Sequence, residues 1–209
     1  MYKSNPQTEY RTELRKRIVK TAIQELRSKG IKAVKMHDIA SMLSVPKRTL
    51  YEIYDNKEQL LMECVEEEYN GQMRHITEFA QDPQHSVMDV ILEFYRFQMQ
   101  NLRHMSPVYY TELHRYPSII GWLQEMRTQN QEKTQIFHNQ AVQEGYFRAD
   151  VNYELISRIG AETADYLMST QILKQYKLEE IFRNVVMLFT RGLCTKKGID
   201  KLEEVMKKI

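Results

Sequence analysis

The most regular feature of the chain is an apolar residue at every third or fourth position, which is the spacing of one face of an α-helix. The first such stripe consists of Leu14, Ile18, Val19, Ala22, Ile23 and Leu26. Basic residues surround the stripe, so it predicts an amphipathic helix. Gly30 follows, and glycine adopts the left-handed conformation that ends many helices at no steric cost. We therefore expect the helix to end at Gly30.

Two much shorter apolar patterns come next. The first is formed by Met36, Ile39, Ala40 and Leu43, with Asp38 in its first turn. Pro46 is predicted to open the second, because the N–H that proline lacks has no partner in the first turn of a helix. Two short helices joined by about three residues and packed on a longer one form a helix-turn-helix unit. The start of the chain therefore predicts such a unit.

The second short pattern, over 46–54, combines an anchored side with a polar side. Val45 and Leu50 are spaced to face the core. The polar and aromatic side chains near its start are Lys47, Arg48, Thr49 and Tyr51. Such side chains can donate hydrogen bonds to guanine edges and contact thymine methyl groups or phosphates. We expect this helix to enter the major groove of double-stranded DNA.

Asn56 is predicted to cap the next helix, with Gln59 three positions later as in a capping box. Lys57 then lies at the first helical position, beside backbone N–H groups that have no partner within the helix. This combination predicts a phosphate clamp. The apolar pattern continues to about Ala80, so the helix is long enough to connect two parts of the molecule.

The charge is divided unevenly between those two parts. Residues 1–57 contain 13 Lys and Arg against 6 Asp and Glu, whereas residues 58–209 contain 17 against 22, within a total of +2. Salt screens charges beyond about 8 Å, so a partner responds to the local surface more than to the total. A basic head on an acidic body favours binding of a polyanion at one end.

The stretch from Ile18 to Leu61 resembles the TetR family of transcription regulators. The matching residues are Ile18, Ala22, Leu26, Gly30, Asp38, Ile39, Ala40, Leu43, Val45, Thr49, Leu50, Tyr51, Tyr54, Lys57, Glu58 and Leu60. The resemblance implies DNA contacts at His37, Lys47, Arg48, Thr49, Tyr51 and, to phosphate, Lys57. The sequence departs from the family pattern at four positions. Lys35 stands where the family favours a Ser or Thr cap, and Ser44 where it favours Gly. Pro46 stands where a small polar residue is usual, and Ile53 where a polar or aromatic one is.

The resemblance also implies the organisation of the whole chain as an all-α protein. Residues 1–57 would form the tri-helical helix-turn-helix DNA-binding domain. Residues 58–209 would form a larger helical bundle that binds an effector and dimerises through a four-helix interface. Breaks at Asp82-Pro83, Pro107, Pro117 and Gly145 predict body helices over about 87–102, 107–116, 118–144, 152–174 and 178–196.

The last two of these predicted helices have apolar faces wider than one small core needs. Small residues at Gly160, Ala164 and Gly192 would let helices approach closely. A monomer would expose a large apolar patch, so we expect a homodimer. The alternative is that these faces are buried within one subunit.

The middle helices are rich in aromatic and sulfur-containing side chains, which favours a mostly apolar cavity for a small apolar or aromatic effector. The candidate lining residues are Tyr95, Met99, His104, Tyr110, His114, Trp122, Phe137 and Tyr166. The alternative is that they are ordinary core residues. We expect no metal and no cofactor, and His104 and His114 form only a weak metal-ligand pair. Cys64 and Cys194 are expected to be small core residues.

No sequence motif for an enzyme is present: there is no GxSxG, GxxxxGK[ST], GxGxxG or HExxH. No apolar run is long enough to span a bilayer and no apolar signal core is seen, so we expect a cytoplasmic protein that does not contact membrane. The polar tail before Arg11, with Lys3, is either an arm for the minor groove or disordered padding.

The leading hypothesis is a repressor that an effector releases from an inverted-repeat operator. One alternative is a DNA-binding protein of the same fold controlled by a protein partner or by no ligand. Another is a helical enzyme or a partner-binding bundle.

Overall fold

The computed structural model describes residues 6–170 and 172–206, and this part of the chain is all-α, as predicted. Its helices are α1 (Pro6–Lys29), α2 (Met36–Met42), α3 (Lys47–Tyr51), α4 (Lys57–Ala80), α5 (Val87–Leu102), α6 (Pro107–Leu113), α7 (Pro117–Gln129), α8 (Gln131–Gln143), α9 (Tyr153–Ser169), α10 (Ile172–Gln175), α11 (Leu178–Leu193) and α12 (Lys196–Met206). None of the helices in the described ranges is long and apolar enough to cross a membrane.

The predicted apolar stripe of α1 forms the centre of the head. Leu14, Ile18 and Leu26 are buried against Ile39 of α2 and Leu50 of α3. The helix is longer than the stripe indicated, because residues 6–10 of the expected tail form its first turns. Lys3, the cation of that tail, lies outside the described residues.

Gly30 follows the last residue of α1 and ends this helix, as predicted. It has a φ of 91° and donates its N–H to the carbonyl of Leu26 at 2.9 Å. Its missing side chain also allows a close approach of the body, since an added Cβ would lie 3.1 Å from Cγ1 of Val108 and 3.2 Å from Oε2 of Glu112. The family's glycine at this position therefore ends a helix and makes room for α6.

The turn between α2 and α3 explains one departure from the family pattern and corrects one prediction. Ser44 has a φ of 55°, the left-handed conformation for which glycine is favoured. Pro46 caps α3 and does not open it, because its ψ of 140° is extended and the first helical residue is Lys47. The recognition helix is consequently shorter than the predicted 46–54 and ends at Tyr51.

Helix α4 has the predicted bounds and joins the head to the body. Oδ1 of Asn56 accepts from the N–H of Gln59 at 3.0 Å, which is the predicted cap. The core that begins in α1 continues along α4 through Leu61 and Val65 and reaches Leu113 and Ile119. Head and body therefore share one continuous apolar core.

The body is built around α5, which contacts α4, α8, α11 and α12. The prediction of one continuous helix over 118–144 is wrong, because the helix is interrupted at Asn130, between α7 and α8. The Nδ2 group of Asn130 donates to the hydroxyl of Tyr69 at 2.8 Å and to the carbonyl of Met126 at 2.9 Å. These bonds stabilise the break, and the first of them comes from a residue distant in sequence.

The end of the chain also differs from the prediction. The helix expected over 152–174 ends at Ser169 and is followed by the short α10, and the one expected over 178–196 ends at Leu193. Helix α12 was not predicted, although Ile199 and Leu202 have the spacing of one apolar face of a helix. Leu202 of α12 is fully buried against the α5 core, and Gly198 packs against the backbone of Tyr146.

Candidate nucleic-acid interface and body cavities

The side chains of α3 divide into an anchor and an exposed surface. Leu50 is completely buried and Val45 packs against the same cluster. Lys47, Arg48 and Tyr51 are exposed. The helix is thus fixed from behind and presents two cations and a phenol to solvent, which is the arrangement that a major-groove helix requires.

Two contacts hold the exposed side chains of α3 along the helix. Nζ of Lys47 lies 5.5 Å from the centre of the Tyr51 ring, within the range of a cation–π contact. Nε of Arg48 donates to Oε1 of Glu52 at 3.0 Å. A guanidinium has five N–H donors, so this bond leaves further donors for a base edge or a phosphate.

His37, the predicted contact on α2, is exposed beside Asp38. Its Nε2 lies 3.0 Å from Oδ1 of Asp38, whose Oδ2 accepts from the backbone N–H of Lys35 at 2.8 Å. The second bond is the return half of a capping box, so it stabilises the start of α2 although Lys35 replaces the usual Ser or Thr.

Lys57 has a role in the structure that the sequence did not reveal. Its ammonium donates to the carbonyls of Ile31 and Val34, which lie in the connection between α1 and α2. Burial lowers the pKa of Lys57, while Glu112 and Asp38 act in the opposite direction. The side chain therefore braces the loop behind α2, and contact of Lys57 with phosphate stays a prediction.

A set of polar contacts joins the head to the body. Nη1 of Arg27 donates to Oε1 of Glu68 at 2.6 Å, and Nη2 donates to the carbonyl of Asn101 at 2.7 Å. The N–H of Ser106 donates to the carbonyl of Arg27 at 2.7 Å. Sequence reasoning missed these residues, although Glu68 shares the helical face of Leu61, Cys64 and Val65 and its burial could have been predicted from that spacing.

Helix α6 makes a second connection between head and body. Oε2 of Glu112 accepts from the backbone N–H of Lys32 at 2.8 Å. On its other side α6 contacts α9 and α10. A displacement of α6 in the body would therefore reach the connection between α1 and α2.

A body cavity of about 550 Å³ lies between α5, α9 and α11 and is called the larger cavity because it exceeds a cavity of about 380 Å³ lined by α1, α4, α5 and α6. Its lining is mainly apolar and includes Phe94, Ile156, Leu167, Phe182, Val186 and Phe189. Arg127 at the lining is paired with Asp165 by two hydrogen bonds of 3.1 Å. Burial lowers the pKa of His138, which favours its neutral form. The cavity is thus suited to an uncharged molecule.

The structure places one of the eight sequence-based effector candidates, Tyr110, in the lining of this cavity. Tyr95 is buried beside Phe182, with ring centres 5.7 Å apart. The other candidates lie elsewhere: Met99 and Phe137 pack on the α5 core, His104 is exposed, His114 bonds the carbonyl of Tyr110, Trp122 packs on Tyr69, and Tyr166 is exposed on α9.

The small residues of α9 and α11 were expected to let helices approach closely, but within the subunit they do not lie at a close contact between helices. Gly160 and Ala164 line the larger cavity, and a Cβ added at Gly160 or Gly192 would meet no atom within 4 Å. Within the subunit these residues therefore leave space and bring no helix close. Sequence analysis had assigned the two faces to the dimer interface and so missed their part in the cavity.

Comparison with known proteins identifies the head and the overall fold. Residues 18–64 match the family model described as bacterial regulatory proteins, tetR family. No curated protein sequence matches the chain.

Several solved structures have the same fold at low sequence identity. A transcriptional regulator from Saccharomonospora viridis in complex with choline has a TM-score of 0.68 and 18% identity, over 88% of this chain and 100% of that one. The fatty acid degradation regulator from Bacillus halodurans has a TM-score of 0.64 and 18% identity, over 92% and 98%. The ketosteroid transcriptional regulator of Mycobacterium tuberculosis has a TM-score of 0.58 and 16% identity, over 87% and 95%.

The match over the head supplies the family signature, and the likeness over the remainder supplies the same all-α architecture. Residues 18–64 therefore carry the N-terminal region of bacterial regulatory proteins of the tetR family, which supports a DNA-binding transcriptional regulator, and the described chain as a whole has the all-α fold of solved regulators of that family.

Proposed function

We propose that the protein is a homodimeric repressor that binds an inverted-repeat operator and is released by a small, uncharged, largely apolar effector. The observation that carries this proposal is the position of α6. Tyr110 on this helix lines the larger cavity, while Glu112 on the same helix holds the backbone of Lys32 in the head. One short helix thus contacts both the candidate effector site and the DNA-binding domain.

The exposed surface of α3 supports the DNA-binding part of the proposal. Arg48 would read a guanine, Lys47, Thr49, Tyr51 and His37 would contact bases or phosphates, and the N-terminus of α4 at Lys57 would receive a phosphate. A two-fold dimer places its recognition helices about 34–36 Å apart, one turn of B-DNA. The operator should then consist of two inverted half-sites.

The larger cavity supports the choice of effector class. A mainly apolar lining with a paired arginine and a neutral histidine disfavours a free charge, because moving an unpaired charge out of water is costly. Structures of the same fold include a ketosteroid transcriptional regulator, a fatty acid degradation regulator and a regulator in complex with choline, so the fold occurs in regulators linked to varied organic molecules. We favour an uncharged apolar or aromatic molecule for this chain.

The mechanism follows from the contacts of α6. An occupant of the larger cavity would press on Tyr110, displace α6 and α4, and change the separation of the two heads in the dimer. A coupling of about 1–3 kcal/mol is sufficient for regulation. The bonds from Lys32 to Glu112 and from Arg27 to Glu68 lie on this route.

The proposal is tested with a panel of uncharged metabolites, the purified chain and DNA from upstream of its gene. At least one compound should both raise the melting temperature and weaken operator binding. Gly160→Leu should abolish both responses, because the new side chain fills the cavity. Gly121→Leu is the matched control, since Gly121 also has space for a Cβ and lies outside the cavity lining.

The same experiment distinguishes the alternative, a DNA-binding protein of the same fold that is controlled by a protein partner or by no ligand. Specific operator binding without a response to any compound, or responses that Gly160→Leu leaves intact, would argue against this cavity as the effector site. The first result would favour control by a protein partner.

A further inference from the structure

We propose that Glu52, at the end of the recognition helix α3, is a further base-reading residue and selects a cytosine near the guanine that Arg48 reads. Glu52 is not among the DNA contacts that the family resemblance implies. This role rests on the proposed function, because it requires that α3 enters the major groove. It adds a second specified base to each half-site of the operator.

Glu52 lies on the exposed face of α3. It follows the last helical residue with helical dihedral angles, φ −76° and ψ −17°, so its side chain continues the faces of the helix. Leu50 and Ile53 pack on the core of the head and define the buried face. Successive residues of a helix turn by about 100°, so the residues on the other side form one face. All of them are exposed, and they are Lys47, Arg48, Tyr51 and Glu52.

The contact between Arg48 and Glu52 leaves both side chains able to bind DNA at the same time. Nε of Arg48 donates to Oε1 of Glu52 at 3.0 Å. Within the described part of the chain, the Nη groups of Arg48 and Oε2 of Glu52 have no hydrogen bond. The two Nη groups can therefore donate to O6 and N7 of a guanine while Oε2 accepts from a second base.

The chemistry of a carboxylate determines which base it selects. A carboxylate accepts hydrogen bonds and donates none. In the major groove thymine presents the acceptor O4, guanine presents two acceptors, and adenine presents the acceptor N7 beside its amino group. Cytosine presents its N4 amino group without an acceptor beside it. Glu52 therefore favours cytosine and is repelled by thymine and guanine.

The spacing along α3 sets the position of this cytosine in the operator. Residues four positions apart are separated by about 6 Å along a helix axis, and successive base pairs of B-DNA by about 3.4 Å. The cytosine should therefore lie within about two base pairs of the guanine. The two-fold symmetry of the proposed dimer repeats both bases in the second half-site.

The first experiment selects binding sites from a random duplex library with the full chain. We expect each half-site to contain a guanine, whose preference Arg48→Ala removes, and a cytosine close to it. Glu52→Gln should lose most of a roughly tenfold preference for cytosine over thymine, because an amide can donate as well as accept. It should keep the guanine, since the amide oxygen can still accept from Nε of Arg48. Glu13→Gln, which removes an exposed carboxylate of α1, is the matched control and should keep both preferences.

The second experiment removes the amino group of the base. In the selected operator the cytosine is replaced by 2-pyrimidinone, which lacks the N4 amino group, and affinities are measured by fluorescence anisotropy. The native chain should lose about tenfold more affinity on this replacement than Glu52→Ala does. Weaker base pairing by the analogue affects both proteins alike, so the ratio of the two losses isolates the contact between carboxylate and amino group.

A cytosine preference that survives in Glu52→Gln would overturn the proposal. Equal losses of affinity for the native chain and Glu52→Ala on the 2-pyrimidinone operator would also overturn it and leave Glu52 as a support for Arg48 alone. A native chain that selects no inverted repeat would contradict the proposed function, and the role of Glu52 with it.

Discussion

Arg48 and Glu52 show how a side chain on α3 is kept ready for DNA at low cost. The two residues lie one helical turn apart on an exposed surface, and Nε of Arg48 is 3.0 Å from Oε1 of Glu52. The Arg48 side chain is 90% exposed. Exposed pairs at this spacing contribute only about 0.3–0.5 kcal/mol. The pair therefore limits the positions of the guanidinium but releases it easily to a base.

Replacing Arg48 tests its reading of a base. We expect Arg48→Ala to weaken operator binding by about 1–3 kcal/mol and to relax the preference at one base pair of each half-site. Fluorescence anisotropy with operator and random duplexes measures both effects. Lys16→Ala, an exposed cation on α1, is the control. Equal losses on operator and random DNA for Arg48→Ala would show that Arg48 binds only phosphate.

We expect Lys57 to contribute to the stability of the folded chain in the absence of DNA. In Lys57→Met the carbonyls of Ile31 and Val34 lose their charged donor, so we expect the free energy of unfolding to fall by about 1–3 kcal/mol. Lys47→Met, on the exposed surface of α3, should leave it unchanged. Urea denaturation followed by circular dichroism compares the two variants. A Lys57→Met protein of normal stability but weaker DNA binding would instead favour the phosphate clamp.

Ser44 carries a conformational cost that a glycine would remove. A left-handed residue costs about 1–2 kcal/mol in the folded state, and the extra freedom of glycine in the unfolded chain offsets part of this. We expect Ser44→Gly to raise the free energy of unfolding by up to about 1 kcal/mol. Ser41→Gly, inside α2, should lower it by about 0.5–1 kcal/mol. Thermal denaturation should show shifts of opposite sign, and shifts of the same sign would be incompatible with strain at Ser44.

At the scale of whole elements, the long helices were predictable from their apolar stripes, whereas the breaks between helices were not. Helices α4 and α5 follow their stripes and caps closely, and α1 ends where its stripe indicated but begins earlier. The break at Asn130 depends on the hydroxyl of Tyr69, 61 residues earlier, which no local pattern reveals. Helix α12 carries a short apolar face that the sequence analysis did not use, and the core around α5 buries its Leu202.

The start of α5 supplies a pH-dependent contribution to stability. Oδ2 of Asp89 accepts from the N–H and the hydroxyl of Ser86, and Nζ of Lys201 lies 3.2 Å from Oδ1. Burial acts to raise the pKa of this carboxyl, but these hydrogen bonds outweigh it and the pKa lies below the ordinary 3.8. A lowered pKa means that the contribution is present above pH 3.8 and is lost as the pH falls through the folded-state pKa.

Asp89→Asn should therefore lower the free energy of unfolding by about 1 kcal/mol at pH 7. The difference from the native chain should narrow below about pH 4, where the native carboxyl becomes protonated as well. Urea titrations at several pH values measure this difference in the free energy of unfolding. Asp200→Asn serves as the control, because Asp200 is exposed and lies 4.0 Å from its partner Lys196. A difference that does not change with pH would contradict this account.

At the scale of the molecule, the two kinds of site differed in how far the sequence could predict them. The candidate DNA surface was predicted from local spacing in α2, α3 and the start of α4, and His37, Lys47, Arg48 and Tyr51 are exposed, whereas Lys57 instead braces the backbone of Ile31 and Val34. The larger cavity is assembled from α5, α9 and α11, which are distant in sequence, and the same side chains fitted a dimer interface equally well. Only the tertiary arrangement distinguishes a face that leaves space from a face that packs.

The outer surface of α9 and α11 still favours a dimer. Leu188 is 73% exposed, and Leu155, Ile159 and Tyr166 are exposed as well. We expect the native chain to be a dimer in light scattering and Leu188→Asp to shift it toward monomer, because a charge in the interface would lose its hydration. Ile136→Asp, an equally charged change at an exposed position of α8, should remain dimeric. A native chain that is monomeric at micromolar concentration would exclude the homodimer.

The shared core of head and body has a consequence for engineering. Because Leu113 and Ile119 complete the apolar cluster that starts at Leu14, residues 1–57 cut out alone would expose the side of α1 that α4 and α6 cover. A chimera carrying this head on another regulator would need matching side chains from the recipient's α6 and α7. Grafts that stop at the end of the helix-turn-helix should aggregate, whereas grafts that bring those two helices along should remain folded.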